Sequence, residues 1–455
     1  MNRIDTDICI IGAGSGGLSV AAGAAQMGAR VVLIEAGAMG GDCLNAGCVP
    51  SKALLHAAAS DMGWDAAHEH VRATIAAIAP HDSVERFEGL GVRVIRGFAR
   101  FSGPREVTVD GTTVRARRIV IATGSRPRLP DVPGLTEVPL LTNETIFDLA
   151  ERPEPLLILG GGPIGMEMAQ AHRRLGCDVT VIEPACVLGR DDPEAVALVT
   201  ASLEAEGVAF EEGAVPVRVS GTDGGVEVVL DDGRTLTGSH LLVATGRVAS
   251  VEELDLDKAG VETTPAGVKV DARLRSSNRR VYAIGDVAGG MQFTHVAGYQ
   301  AGVIVRSMLF GLPAKARTAH IPRVTYTAPE LAQVGLTEAE ARAAHGAALE
   351  VVRADFAGND RAVATENTEG FLKVMIHKGR PVGATMVGPG AGEQITLWAL
   401  ALSARLKMSA IAGMVAPYPT MAEISKRAAG TYFSPRLFDN PNVKRLVRAV
   451  QRFVP

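Results

Sequence analysis

The sequence predicts an α/β protein in which two doubly wound βαβ domains are followed by an α+β domain. Three observations predict it. A strand, Gly-rich turn, helix, strand and closing acid run from Ile8 to Glu35, and the same order returns from Leu156 to Glu183. Past Pro322 no such turn appears, and the strand-like runs lose their βαβ spacing.

The first copy reads Ile8-Cys-Ile-Ile-Gly12-Ala-Gly14-Ser-Gly-Gly17-Leu, then a small-residue helix to Met27-Gly28, then Val31-Val-Leu-Ile-Glu35. The second reads Leu156-Leu-Ile-Leu-Gly160-Gly-Gly162-Pro-Ile-Gly165-Met-Glu167, a helix to Leu175-Gly176, then Val179-Thr-Val-Ile-Glu183. One Gly-x-Gly-x-x-Gly is a weak signal, but two, each between a strand and a helix with an acid ending the next strand, are specific. The first Gly permits the tight turn, the second lets the backbone approach a pyrophosphate, and the third allows close helix packing. The helix N-terminus then offers N–H groups and positive dipole to the phosphates. Glu35 and Glu183 are placed to accept hydrogen bonds from ribose hydroxyls. Each copy has a later strand ending in a Gly turn, Ile119-Val-Ile-Ala-Thr-Gly124-Ser-Arg and Leu241-Leu-Val-Ala-Thr-Gly246-Arg247. Two Rossmann-like dinucleotide-binding domains follow.

Arg279-Arg-Val-Tyr-Ala-Ile-Gly285-Asp286 is a further buried strand whose terminal acid faces the ligand crevice of such a sheet. Residues from about 275 to 320 are therefore expected to complete the first domain. The expected boundaries are 1–147 with 275–320, 148–274, and 321–455. In the last of these, Val324–Gly335 and Gly370–His377 read as strands and residues 393–414 as a helix, an α+β unit suited to substrate placement or association.

The chain has 455 residues, 47% of them hydrophobic, enough for several cores. Its 46 Lys plus Arg against 50 Asp plus Glu give no bulk basic excess for nucleic acid or an anionic membrane, so small-molecule ligands are expected. The opening residues lack the pattern of a signal peptide, and no apolar run approaches membrane-spanning length, which predicts a cytoplasmic protein. Permanent disulfides are unusual in that compartment. Cys9, Cys177 and Cys186 stand alone in or beside apolar runs and read as buried small hydrophobes. Cys43 and Cys48, in Gly41-Asp-Cys-Leu-Asn-Ala-Gly-Cys48-Val-Pro-Ser-Lys52, leave three readings: structural disulfide, metal site or redox relay. A zinc site would need further clustered Cys or His, which are not evident, and a disulfide closing so short a ring constrains few residues.

Taken in order, the two Gly-rich folds, Cys-x-x-x-x-Cys-Val-Pro-Ser-Lys, Ala-Thr-Gly-Arg and Gly-Asp-Val resemble the pyridine nucleotide-disulfide oxidoreductases, the flavoprotein family of glutathione reductase, lipoamide dehydrogenase and mercuric reductase. The resemblance covers essentially the whole chain. It implies FAD in the first domain, a nicotinamide dinucleotide in the second, and a homodimer built on the third. Carried over by position, FAD falls to Gly12, Gly14, Gly17, Glu35, Lys52, Ala99, Gly124, Asp286 and Thr294, and the nicotinamide cofactor to Gly160, Gly162, Gly165, Glu183 and Gly246. No basic residue follows Glu183 until Arg190, so NADH is expected over NADPH. The family pattern also makes Cys43 and Cys48 a redox-active disulfide, with Cys48 beside the flavin and Cys43 attacking substrate. Lys52 and Glu167 match its ion pair near the flavin ring. Pro163 stands where the reductases often carry an aromatic lid, which implies different gating of the nicotinamide pocket.

The resemblance also exposes a departure. The family's disulfide reductases use a C-terminal His, paired with a Glu, to handle the substrate thiol's proton, yet the last of ten histidines here is His377. Ala416-Pro-Tyr418-Pro-Thr-Met-Ala-Glu423 places Tyr418 at that position and keeps Glu423. A phenol with a pKa of about 10 is a poor base at neutral pH, though it can donate a hydrogen bond. The pattern is closest to mercuric-reductase-like members, although neither an N-terminal Cys-x-x-Cys domain nor a cysteine pair in the tail Val-Gln-Arg-Phe-Val-Pro is seen. The expected function is an FAD-dependent NAD(P)H oxidoreductase that reduces a small disulfide or related thiol-bound substrate. Metal-ion reduction of the mercuric type is the alternative, and electron transfer or redox sensing without small-substrate turnover a third. Finally, Asn442-Val-Lys-Arg-Leu-Val-Arg-Ala-Val-Gln-Arg-Phe453 sets Val443, Leu446, Val447 and Val450 on one helical face with Lys444, Arg445, Arg448 and Arg452 around it. Docking on its own dimer is the expectation for this basic helix, and an anionic membrane surface the alternative.

Overall fold

Burial alternates between two cores along the strand Asn2–Ile11, and this sets the first layer of the protein. In a computed structural model that describes residues 2–454, Ile8 and Ile10 enter one core while Cys9 and Ile11 enter the other. A strand covered on both faces is the natural place for an unbroken apolar run. Val92–Arg96, Val31–Glu35, Asn2–Ile11 and Thr112–Ile121 lie side by side in parallel, and Glu106–Val109 and Arg100–Gly103 extend the sheet antiparallel. Val281–Ala283 also pairs with Thr112–Ile121 in parallel.

The second repeat rebuilds the same arrangement. Val208–Glu212, Val179–Glu183, Leu156–Leu159 and His240–Val243 form a parallel sheet whose spatial order matches that of the first four strands. The short strands that follow the two later Gly turns, Ser125–Pro127 and Arg247–Ala249, pair antiparallel with each other. Thus the two Gly-turn segments are tied directly by backbone.

Two compact units are present: the chain up to Ala185 with Val208–Arg317, and Cys186–Gly207 with the residues from Thr318 onward. The second contains an antiparallel sheet ordered Pro322–Thr325, Glu330–Gly335, Arg380–Gly388, Phe371–His377, Leu349–Asp355. It packs on the helices Ala391–Ser403 and Glu423–Phe438, with Trp398 fully buried. Two expectations need correction. The helix expected over 393–414 is two helices, Ala391–Ser403 and Met408–Ala412, because Arg405 adopts φ +53° and Leu406 N–H closes on Ala401 O. That is a Schellman end with Arg in the position Gly usually fills. Cys186, expected in a core, is exposed on the bend that follows the strand ending at Glu183.

Within this unit the helix Pro193–Ala205 is fixed by one buried cation. Lys373 Nζ lies 3.0 Å from Asp192, 2.8 Å from Glu194 and 3.0 Å from Glu338, and Asp192 itself caps the helix through Glu194 N–H. Arg353 and Arg342 sit on Glu194 and Glu338, so the cluster approaches neutrality. Removing a charge from such a cluster strands its partners, at a cost of about 3–5 kcal/mol. Lys373→Met should lower the unfolding free energy of the C-terminal unit, measured by urea titration, by that amount, whereas Lys378→Met on the neighbouring turn should leave it unchanged; equal values for the two variants would refute the anchor.

Candidate active site

The site begins with glycines, and the three in each turn are needed for three different reasons. A Cβ on Gly12 (φ +103°) would meet Ala122 O at 2.3 Å, and one on Gly17 would meet Gly12 O at 1.9 Å, whereas one on Gly14 would have nothing within 4 Å. The second repeat gives the same result: Gly160 against Ala244 O at 2.6 Å, Gly165 against Gly160 O at 1.9 Å, and open space at Gly162. The outer glycines allow strand, turn and helix to close up. The middle one leaves free room over a helix N-terminus, the shape a pyrophosphate requires.

The acids ending the next strands hold these turns. Glu35 accepts Ala13 N–H at 2.5 Å and Gly37 N–H at 2.6 Å, and Glu183 accepts Gly161 N–H at 2.8 Å and Ala185 N–H at 3.1 Å. Each carboxylate oxygen keeps a second lone pair, so both acids can still accept from a ribose hydroxyl. Gly124 and Gly246 have φ +67° and +117°, the left-handed region that favours glycine, with open space where a Cβ would be. These residues fit the two dinucleotides. Ala99 turns its side chain into the core, leaving only its backbone for a ligand.

The thiol segment is laid against the first turn by backbone contact that only glycine permits. Gly40 N–H donates to Ala13 O at 3.0 Å, Gly14 and Gly40 form a bridge, and a Cβ on Gly41 would stand 2.8 Å from Gly14 Cα. Cys43 then lies in the short helix Gly41–Asn45, and Cys48 opens the helix Cys48–Ala59. Both are free thiols and are hydrogen-bonded to each other. Thr294, first residue of the helix Thr294–Phe310, places its hydroxyl 3.3 Å from Cys48 Sγ, and Ser15, first of Ser15–Gln26, bonds to Cys43. Three helix N-termini therefore meet at the pair.

The two thiols are pushed apart in acidity. Cys48 is lowered to about 6, first by the hydrogen bond from Cys43, then by Thr294 and the charge of Lys52, against the cost of desolvation and the charge of Glu167. Cys43 is raised by the same hydrogen bond, by burial and by the charge of Cys48. One proton is thus held on Cys43 and the thiolate on Cys48. Beside them Lys52 Nζ lies 2.6 Å from Glu167 Oε2, and Glu167 is buried. By contrast, the isolated Cys9 and Cys177 are raised by burial to about 12 and stay inert.

Asp286 was expected at the ligand crevice, and it stands in a network that sequence reasoning missed. Arg247 donates to Ser125 Oγ at 2.7 Å and Ser125 O at 2.8 Å, to Asn143 Oδ1 at 3.1 Å, and lies 3.3 Å from Asp42. Ser125 Oγ donates to Asp286 at 2.6 Å, and Asn143 donates to Asp42, the neighbour of Cys43. Burial raises Asp286, opposed by Ser125 and Arg247. The available signal was positional: Ser125 and Arg247 occupy the same place after Ala-Thr-Gly in the two repeats.

In the C-terminal unit Tyr418 is exposed, and its hydroxyl donates to Asp360 Oδ2 at 2.9 Å. The phenol is raised above its ordinary value, first by that bond and the charge of Asp360, then by desolvation, and last by the charge of Glu423. Its partner is thus Asp360, a residue the sequence reading did not pick. Glu423 opens the helix Glu423–Phe438, where a carboxylate favours the positive helix end.

Paired dinucleotide turns and an asymmetric dithiol define a redox enzyme of the flavin and nicotinamide class. The sequence model of the pyridine nucleotide-disulphide oxidoreductases matches residues 6–301, and that of the family's dimerisation domain matches 321–429; the chain belongs to this family. It is 36% identical to mercuric reductase from Streptomyces lividans, over 94% of this chain and 96% of that protein, and 36% identical to dihydrolipoyl dehydrogenase from Thermus scotoductus, over 93% and 96%. A solved Cu(II) complex of the HOCl-induced flavoprotein disulfide reductase RclA from Escherichia coli superposes with a TM-score of 0.88 at 28% identity, covering 94% of this chain and 99% of that one. The protein is an FAD-dependent NAD(P)H:disulfide oxidoreductase.

The reduced pair should show a first thiolate step near pH 6 in its ultraviolet absorbance. Lys52→Met should move that step upward, and Cys43→Ala further still, since it removes the largest cause. A step unmoved in Cys43→Ala would contradict the shared-proton geometry.

Proposed function

We propose that Cys43 and Cys48 alternate between disulfide and dithiol, delivering two electrons from NADH to a small oxidised substrate, with Cys43 meeting that substrate and Cys48 facing the flavin. The observation that carries this reading is two free thiols in hydrogen-bond contact, set against the first dinucleotide turn with Thr294 on Cys48 and the Lys52–Glu167 pair nearby. Bound FAD supplies the two-electron step from the nicotinamide to the disulfide. For a disulfide substrate, Cys43 passes its proton to the Cys48 thiolate as it attacks one sulfur, releasing a thiolate. Cys48 then displaces the mixed disulfide, its proton leaves with the second thiol, and the Cys43–Cys48 bond closes. Gly12, Gly14, Gly17, Glu35 and Thr294 would hold FAD, with Asp286 on its ribityl chain. Lys52, oriented by Glu167, keeps positive charge beside Cys48.

Tyr418 would act on the substrate as a hydrogen-bond donor rather than as a base. A phenol raised in pKa keeps its proton, so by turning its single O–H away from Asp360 it can donate a hydrogen bond to a departing thiolate, and it does not serve as a base for an incoming dithiol. Reduction of substrate by NADH should accordingly outrun dithiol oxidation by NAD. Reduction of a thiophilic metal ion is the second reading. It is favoured by the phenol in place of an imidazole, by the mercuric reductases among the relatives, and by the Cu(II) bound to the Escherichia coli protein. The dimerisation domain supports a homodimer as the working form.

The cofactor is assigned as NADH. Glu183, fixed by two backbone donors, is an anion at the ribose, and a 2'-phosphate would be repelled by it. We expect kcat/KM for NADH to exceed that for NADPH by about 10-fold or more; the opposite preference would sink the assignment. NADH oxidation should be driven by one class within a panel of small disulfides, Hg(II) and Cu(II), and Cys43→Ser should abolish it. Turnover surviving that substitution would overturn the dithiol route.

A further inference from the structure

The helix Pro441–Phe453 lies beyond the residues matched by the family's dimerisation domain, which end at 429, and no part of the proposed reaction uses it. Its N-terminus is well made, with Pro441 at the first helical position and Asn440 accepting Asn442 N–H. Its faces are sharply divided. Leu446, Val447, Val450 and Phe453 share one side and are 64%, 49%, 46% and 84% exposed, so this chain's own core does not cover them. Lys444, Arg445, Arg448 and Arg452 occupy the opposite side.

Charge decides what covers this helix. From Asn440 to Pro455 there is no acidic residue, although acids outnumber bases in the chain as a whole, 50 to 46. On two other helices exposed cations pair internally, Arg72 with Glu69 and Arg342 with Glu338, and Arg436 reaches Glu350 on a strand. Here Lys444, Arg448 and Arg452 follow each other at i, i+4 and i+8, a ladder of like charges that weakens an isolated helix. An external anionic layer reverses that penalty. Thirteen residues are too short to span a bilayer, and among the described residues no helix is long and apolar enough to cross one. The pattern fits a helix lying in an interface, apolar face down, with cations reaching lipid phosphates.

We infer that the helix Pro441–Phe453 docks the enzyme on anionic lipid surfaces. The test is co-sedimentation of the full-length holoenzyme with phosphatidylcholine vesicles that do or do not contain one-quarter phosphatidylglycerol. Binding is expected only to the anionic vesicles and to be lost in high salt. Arg448→Ala and Arg452→Ala should each weaken it about 5-fold. The double variant Leu446→Glu/Val450→Glu should abolish it while leaving NADH-dependent turnover intact, which separates lost docking from lost folding. No binding to anionic vesicles at low salt overturns the inference. So does binding that the double variant retains, which marks mere charge attraction. A third overturning result is dissociation of the dimer in that variant by analytical ultracentrifugation, since the apolar face is then covered by a second copy.

Discussion

Three helices begin at one point, and the chemistry depends on what their N-termini enclose. Ser15, Cys48 and Thr294 each open a helix, and all three touch the thiol pair. Unpaired N–H groups and aligned dipoles make such a point favourable to negative charge. A thiolate on Cys48 and the phosphates of a dinucleotide draw on the same field, which is why the redox pair and the cofactor turn must be neighbours. That neighbourhood depends on Gly41 having no side chain: a single Cβ there would stand 2.8 Å from Gly14 Cα and push the thiol segment off the turn.

Duplication explains how one chain holds both a donor and an acceptor dinucleotide site. The two sheets share strand order, and the two turns share the same contacts and the same carboxylate clamp. Their divergence is informative. Where the first repeat has Ser125 the second has Arg247, and the guanidinium returns to bind Ser125, Asn143 and Asp42 around the first repeat's site. A side chain of the nicotinamide-type repeat thereby braces the short helix that bears Cys43.

The residues legible in the sequence are those whose reason is local. Gly17 and Gly165 answer the carbonyls of Gly12 and Gly160 in the same turn, and Glu35 and Glu183 close back on that turn within one βαβ unit, so motif spacing identified them; only the first glycines also meet a distant strand, at Ala122 and Ala244. Family resemblance supplied Lys52 and Glu167, 115 positions apart and joined in the structure. Missing were groups defined only by long-range packing. Asn143 and Asp42 meet across 101 positions, and Asp360 reaches Tyr418 across 58, with no periodicity to announce either pair. Cys186 was misjudged because an apolar run continues on both sides of a bend that turns it outward.

In the proposed reaction Cys48 holds the thiolate beside the flavin and Cys43 is the exchangeable thiol. Anaerobic titration of the FAD-loaded enzyme with NADH, followed at long wavelength, tests it most directly. A thiolate-to-flavin charge-transfer absorbance is expected in wild type, should persist in Cys43→Ser and should be absent in Cys48→Ser. Its absence from wild type, or its persistence in Cys48→Ser, would rule out Cys48 as the flavin-facing thiolate.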